Sequence, residues 1–295
     1  MVVEVQPPTA ERTDRRRGTK QRTRLPRGAD LVIWLALVCG AGIMAFPLYW
    51  MFATAVRPAG ELFTGEFDLI PSALAWSNFS EAWGKLPWGT FYQNSVIIAV
   101  IGTCLTVFIN LLAGYAFAKY SFKGRDVIFI LMISTLMVPI QVILVPTFMV
   151  VSEMGLVNSI WGVILPRGAE AFGIFLVRQY LVSMPNELME SARLDGASEF
   201  RIFWSIVLPL CKPVIAVLTI FTFMWRWNDF VLPLVTMQDQ SSFTVPLGLN
   251  FAKGLYYTDW TGAMAMTLLS IIPMLIVFVI FQRSFVQGIA SSGMK

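Results

Sequence analysis

From Leu31 to Val56 the chain carries no charged residue. A helix crossing the hydrocarbon of a bilayer needs about 20 apolar residues in a row, so this run predicts a first span, with Pro47 as a kink inside it. Five further apolar runs predict five more spans: Asn94 to Ala118, Val127 to Val151, Ile160 to Val177, Val214 to Val235 and Ala263 to Phe281. Pro139, Gln141 and Pro146 fall inside the third, and Pro273 interrupts the sixth. Gly60 to Thr90 is different, with Pro71, Pro87, Trp76, Trp83 and Trp88. It reads as a short external loop with an interfacial helix, its tryptophans at headgroup depth. No internal repeat stands out.

Two kinds of polar position disturb this pattern. The first is a continuous segment, residues 183–213, between the fourth and fifth spans. Pro185 and Asn186 suit a helix start, and Glu187 and Glu190 favour the positive end of its dipole. Gly196 can take the left-handed geometry that stops a helix, and Ser198 can cap a second one with Glu199 in its first turn. A short helix, a sharp glycine turn and a second helix follow. The second kind is charge inside the spans, which costs about 2.5–3.5 kcal/mol per residue on insertion scales. Arg167 and Glu170 are three apart, as are Arg226 and Asp229, so each pair shares one face of a continuous helix and can pair locally. Such faces either line a solute path, with Asn228 adding an amide beside the second pair, or pair for structure alone. Asn94, Asn110 and Gln141 are read as interhelical hydrogen-bonding groups.

Composition agrees with a membrane protein: 56% of the 295 residues are hydrophobic and 14% charged, against about 25% charged in soluble domains. The basic residues are unevenly placed. Eight of 22 lie in residues 1–30, abutting the first apolar run, which favours retention on the cytoplasmic side over nucleic-acid binding. With both termini inside, seventeen basic residues fall on the cytoplasmic side and only Arg57, Lys85 and Lys253 outside. The expected organisation is a basic disordered cytoplasmic arm (1–30), a six-helix transmembrane region (31–285) with the polar segment 183–213 in the cytoplasm, and a cytoplasmic tail (286–295). The absence of histidine removes Ser-His-Asp and Cys-His catalysis and histidine metal sites. Cys39, Cys104 and Cys211 have no metal-ligand spacing and are expected as free thiols.

Glu190, Gly196, Ile206 and Leu208-Pro209 stand in one register, and Asp195-Gly196-Ala197 is embedded in it. That register resembles the cytoplasmic coupling loop of the permease subunits of binding-protein-dependent ABC importers. Ser191 departs from the alanine usual there. Arg178-Gln179-Tyr180, Trp227-Asn228-Asp229-Phe230 and the stretch Gln282 to Gly288 resemble further motifs of the carbohydrate, maltose-type (MalG-like) group.

The resemblance implies the all-α type I importer permease fold. The helix bearing Glu190, Ser191 and Ala192 would dock into a cleft of an ATPase subunit, Glu190 making polar contacts and Ser191 and Ala192 on the close-packed face. Asp195, Gly196 and Ala197 would form the turn. The tail, with Gly288, Ser291, Ser292 and Gly293, would be a second contact, and Arg167, Glu170, Arg226, Asn228 and Asp229 would belong to the translocation path. Implied partners are a second, MalF-like permease subunit, two ATP-binding subunits and an extracytoplasmic solute-binding protein, in a bacterial cytoplasmic (inner) membrane. ATP and Mg would sit on the partner subunits, with no cofactor, no metal and no catalytic residue on this chain, which is therefore not an enzyme. The solute would be a sugar or oligosaccharide. The alternatives are a glycerol phosphodiester or other non-sugar solute, or a stand-alone secondary transporter. Six spans without a detectable repeat fit the last poorly.

Overall fold

The computed structural model describes residues 27–62, 68–254 and 259–292. They are helical, with no strand among the described residues. Fourteen helices follow in order: α1 Arg27–Ala55, α2 Ser77–Lys85, α3 Trp88–Lys119, α4 Arg125–Ser134, α5 Ile140–Glu153, α6 Ile160–Ile164, α7 Ala171–Val182, α8 Glu187–Leu194, α9 Glu199–Ile202, α10 Leu208–Leu210, α11 Lys212–Trp227, α12 Val231–Thr236, α13 Val245–Phe251 and α14 Trp260–Ser292. The chain divides into two units, residues 1–49 and 50–295. The first holds residues 27–49 of α1, and the last residues of α1 belong to the second.

Among the described residues, three helices are long and apolar enough to cross a membrane: Leu31–Ala55, Trp88–Lys119 and Trp260–Gln282. Three bent pairs qualify if each is one span. The expected third span is broken by 105° between Arg125–Met137 and Ile140–Glu153. The cause is local, because Pro139 has no N–H to give and holds Val138 extended, at ψ 116°. The expected fourth span bends by 43°, where Pro166 sits in a 3-10 turn (Leu165–Arg167) and Glu170 is extended before α7. The expected fifth span stops at Trp227 and resumes as α12 after three residues. The sixth runs through Pro273 unbroken and is longer than its apolar stretch, continuing as helix to Ser292.

α3 is the central post, and α7 and α11 pack along it. Small residues permit the approach: a Cβ at Gly114 would lie 2.5 Å from Val177, and one at Gly173 would overlap the Asn110 amide. Two apolar clusters are stacked along α3. One gathers Trp88, Phe91, Ile98, Ile164, Leu232 and Met237. The other gathers Val107, Leu111, Tyr115, Val177, Leu181 and Ile202. Between them α3 carries the buried polar residues Thr103, Thr106 and Asn110.

The loop before α3 corrects one expectation. Trp76 and Trp83 are exposed, but Trp88 is 1% exposed and belongs to the first cluster. Its indole N–H donates to the Ala82 carbonyl at 3.0 Å, which allows the ring to be buried. α2 is stitched to the end of α1 by Asn78, whose amide donates to the carbonyls of Ala55 and Arg57 at 2.9 and 2.8 Å. Of the three thiols, all free, Cys211 is buried while Cys39 and Cys104 are exposed.

Candidate functional site

The polar segment folds as its residues predict. α8 begins at Glu187 after Asn186 and ends at Leu194. Gly196 then has φ +81°, the left-handed region that only glycine enters without cost. Its N–H donates to the Arg193 carbonyl at 3.0 Å, and the Ala197 N–H donates to the Ala192 carbonyl at 2.9 Å. These paired bonds are a Schellman closure, which satisfies carbonyls the helix end would otherwise leave open. Ser198 caps α9, its hydroxyl accepting from the Arg201 N–H. Arg193 and Glu199 lock the two helices across the turn at 2.6 Å. The Tyr120 hydroxyl donates to the same carboxylate at 2.5 Å, and Lys119 donates to Met184 and Asn186 at 2.7 Å each. The end of α3 therefore holds the helix–turn–helix in place.

The segment turns only part of itself inward. Met189 and Ala192 are buried in the second cluster, while Glu190, Ser191, Leu194, Asp195 and Gly196 are exposed. Leu194 is 89% exposed and Phe200 74%. Of Ser191 and Ala192, expected together on one close-packed face, Ala192 packs on this chain, while Ser191 is exposed and its hydroxyl donates to the Leu188 carbonyl. After α9 the chain makes a π-helical turn, Phe203–Val207, before Pro209 and a 75° bend into α11. The Tyr180 hydroxyl donates to the Leu210 carbonyl there, and Arg178 lies over the Phe129 ring at 4.2 Å.

The charges within the spans overturn an expectation. Neither pair shares a helix face, because the helix is broken between or beside its members. Arg167 ends the 3-10 turn and Glu170 precedes α7; Arg226 is in α11 and Asp229 lies beyond its end. The pairs form crosswise instead. Arg167 meets Asp229 at 3.0 Å, and Arg226 meets Glu170 at 3.7 Å. Arg226 also donates through Nη2 to the Thr106 hydroxyl at 2.7 Å and to the Arg167 carbonyl. Thr106 donates to that carbonyl at 2.9 Å, and Asn110 accepts from the Glu170 N–H at 3.1 Å. Asn228 is exposed and its amide donates to Met224 and the Met274 sulfur, so it does not join the cluster.

A third arrangement joins loops that lie far apart in sequence. Asn158, at φ +60°, accepts through Oδ1 from the Gln238 and Asp239 N–H groups and donates through Nδ2 to the Asp239 carboxylate. This fastens residues 152–159 to residues 237–242. At the start of α14, Asp259 accepts from the Gly262 N–H at 3.0 Å and the Thr261 hydroxyl at 2.8 Å, and pairs with Lys85 at 2.6 Å. No group of metal-ligating residues occurs among the described residues.

A family model described as the inner membrane component of binding-protein-dependent transport systems matches residues 110–291, which include the helix–turn–helix, the charge cluster and most of α14. The chain belongs to that family. Its relatives include the sn-glycerol-3-phosphate transport system permease protein UgpE of Yersinia pestis bv. Antiqua, 34% identical over 90% of this chain and 98% of the relative. The arabinooligosaccharides transport system permease protein AraQ of Halalkalibacterium halodurans is 36% identical over 86% of this chain and 92% of the relative. Among solved structures, a bacterial ABC transporter involved in the import of the acidic polysaccharide alginate superposes with a TM-score of 0.77 at 23% identity, over 88% of this chain and 99% of that one. The alginate transporter in complex with an alginate pentasaccharide-bound periplasmic protein superposes with a TM-score of 0.58 at 14% identity, over 86% of this chain and 90% of that one.

For this binding-protein-dependent permease the predicted residues fall into three groups. Glu190, Ser191, Ala192, Asp195, Gly196 and Ala197 are gathered in the one turn. Arg167, Glu170, Arg226 and Asp229 are gathered in one cluster, without Asn228. Gly288, Ser291 and Ser292 lie on the helical end of α14, and Gly293 lies outside the described residues. The chain places Thr106, Tyr120, Asn158 and Asp259 in roles the sequence reading passed over. Thr103, Thr106 and Asn110 sit at helical spacing on one face of α3, a polar stripe that was readable in the sequence.

Proposed function

We propose that this chain is the transmembrane subunit of an ATP-driven importer that takes its solute from an extracytoplasmic binding protein, and that residues 187–202 transmit the ATPase's movement to it. The observation that carries the proposal is the helix–turn–helix. It is fixed to its own chain by Met189, Ala192 and the end of α3, yet it leaves Glu190, Leu194 and Phe200 uncovered. A rigid, half-apolar projection of this kind fits a cleft in a partner. Both termini and this projection face the cytoplasm of a bacterial inner membrane, with six spans: the three long apolar helices, the bent pairs at 125–153 and 160–182, and α11 with α12. That topology is supported by the seventeen-to-three distribution of basic residues. The partners are a second, non-identical MalF-like permease subunit and two ATP-binding subunits that hold ATP and Mg. Residues 286–295 make a lesser contact with those subunits. The basic stretch 1–30 stays in the cytoplasm.

The solute is a carbohydrate or oligosaccharide, which the arabinooligosaccharide permeases among the relatives support. A polyol phosphate is the second reading, favoured by the equally extensive match to UgpE. The fourth and fifth spans and the charge cluster between them border the path. Transport proceeds by alternating access, as ATP-driven closure of the partners draws the projections together.

The test is purification of the tagged chain from its own host in mild detergent, with identification of what accompanies it. An ATP-binding subunit and a second permease should be recovered, and Glu190→Lys should lose the ATP-binding subunit while keeping the second permease. Recovery of the chain alone, with ion-driven uptake in vesicles lacking ATP, would revive the stand-alone transporter.

A further inference from the structure

We infer that Arg167, Glu170, Arg226 and Asp229 are positioning residues: a cross-brace that makes the two broken spans, residues 160–182 and 212–236, move as one body during transport. The inference rests on the importer reading above.

The argument begins with the breaks. A break in a helix leaves carbonyls without partners on one side and N–H groups on the other. At membrane depth no water can satisfy them, so neighbouring elements must. The first break leaves the Arg167 carbonyl, and the second span supplies its donor, the Arg226 guanidinium, with Thr106 of α3 as a second donor. The second break leaves the first turn of α12, whose Val231 and Leu232 amides face the Asp229 carboxylate. The charge on that carboxylate is matched by the Arg167 side chain, sent from the first break. Glu170 returns the exchange by meeting Arg226. Each arginine passes over the acid three residues along its own chain and takes the acid of the other span. Each break thus supplies what the other lacks.

Burial separates this role from solute contact for two of the four. The side chains of Arg226 and Asp229 are 1% and 5% exposed, out of a solute's reach, whereas those of Arg167 and Glu170 are 21% and 19% exposed, so for Arg167 the two roles are told apart by the experiment below. The packing beside the cluster is close at one point. A Cβ at Gly173 would overlap Asn110, which holds the Glu170 N–H. Straightening one span alone would strand a charge or a carbonyl of the other in a medium that cannot solvate it. The two must therefore shift together.

The experiment uses the complete importer, with its partner chains, in cells. Uptake is measured for Arg167→Ala, Asp229→Ala, their combination and Arg167→Lys, with the amount of each chain in the membrane measured alongside. The brace requires each single change to lower the maximal uptake rate about tenfold per assembled complex while KM moves less than about twofold. The double change should lose no more than the worse single one, because it removes both members of one contact, and Arg167→Lys should recover part of the rate. A KM raised about tenfold with the maximal rate kept would make Arg167 a solute contact and overturn the brace. Losses that multiply in the double variant would overturn it too. If the unsubstituted importer shows no ATP-dependent uptake, the importer reading fails on its own. The same cycle is then read on the thermal unfolding of the purified chain, where additive losses overturn the brace and non-additive ones support it.

Discussion

The turn at residues 187–202 and the charge cluster between the two broken spans are both polar interruptions of an apolar chain, and they are built in opposite ways. In the turn, the bonds that set the shape join residues at most six apart: Gly196 to Arg193, Ala197 to Ala192, Arg201 to Ser198, and Arg193 to Glu199. In the cluster, Arg226 reaches across 59 residues to Arg167 and 120 to Thr106, and Asn110 reaches across 60 to Glu170. A locally built element keeps its shape when its surroundings move, which is what a projection working against another subunit needs. A cluster built from distant parts has no shape until those parts are assembled. Damage to it should therefore spread through the whole second unit, whereas damage to the turn should stay near it.

Three measurements test that contrast. The largest effect should come from Arg226→Met. It removes the donor to the Arg167 carbonyl and leaves Glu170 without its partner, and losing one member of a buried ion pair costs about 3–5 kcal/mol. The yield and unfolding temperature of the purified complex should fall together; an unchanged unfolding temperature would remove the cluster's structural weight. Next is Gly196→Ala. There is open space where the Cβ would stand, so the only penalty is the left-handed backbone, about 1–2 kcal/mol. Hydrogen exchange should quicken at residues 192–201 and stay unchanged in α3 and α11. A change that spread to those helices would show the turn to be less self-contained than its bonds imply.

The smallest effect should come from Asp259→Asn, at a site that mixes the two designs: local partners at Thr261 and Gly262, and one distant partner at Lys85. A cap of this kind is worth about 1 kcal/mol when removed by truncation, and asparagine keeps part of it. Burial opposes the charge of Asp259, but Lys85, the Gly262 N–H and the Thr261 hydroxyl outweigh it and hold the carboxyl below the usual carboxylate range. A group lowered in this way adds stability that is complete above its unfolded pKa, near 4, and that is lost as pH falls through the folded value. Unfolding scans from pH 6 down toward pH 3 (roughly the carboxylate range) should lose less stability in the Asn variant than in the parent. Equal losses would assign the acid sensitivity elsewhere.

The same contrast explains what could be read in advance. Gly196 and Ser198 act on their immediate neighbours, so the helix–turn–helix was visible in the residues themselves, whereas the Asn186 side chain leaves the helix start uncapped and accepts from the distant Lys119. Long uncharged runs gave α1, α3 and α14 for the same reason. The third span was readable as one apolar run compatible with a bend, but not the sharpness of its break at Pro139, because prolines inside membrane helices are often tolerated, as Pro47 and Pro273 are here. The charges were found but paired wrongly. A spacing of three residues implies a shared face only while the helix continues, and it does not continue at Gly168 or Asn228. Asn158 was invisible because its partners lie 80 residues away and its left-handed backbone has no glycine to announce it.

The π-helical turn at Phe203–Val207 has a bearing on how this chain tolerates change in length. Pro209 offers no N–H to the carbonyl four residues before it, and the wider turn absorbs that loss by taking up an extra residue. Downstream, α11 is pinned through Arg226; upstream, α8 and α9 carry the exposed Leu194 and Phe200. Because each residue of an α-helix advances the rotation by about 100°, removing one residue from this turn would swing the exposed face of α8 and α9 by more than a quarter of a revolution about the helix axis. The five residues act as the phase setting between the membrane-embedded part of the chain and the part offered to its neighbours, and insertions or deletions should be excluded from them even where every individual side chain could be exchanged.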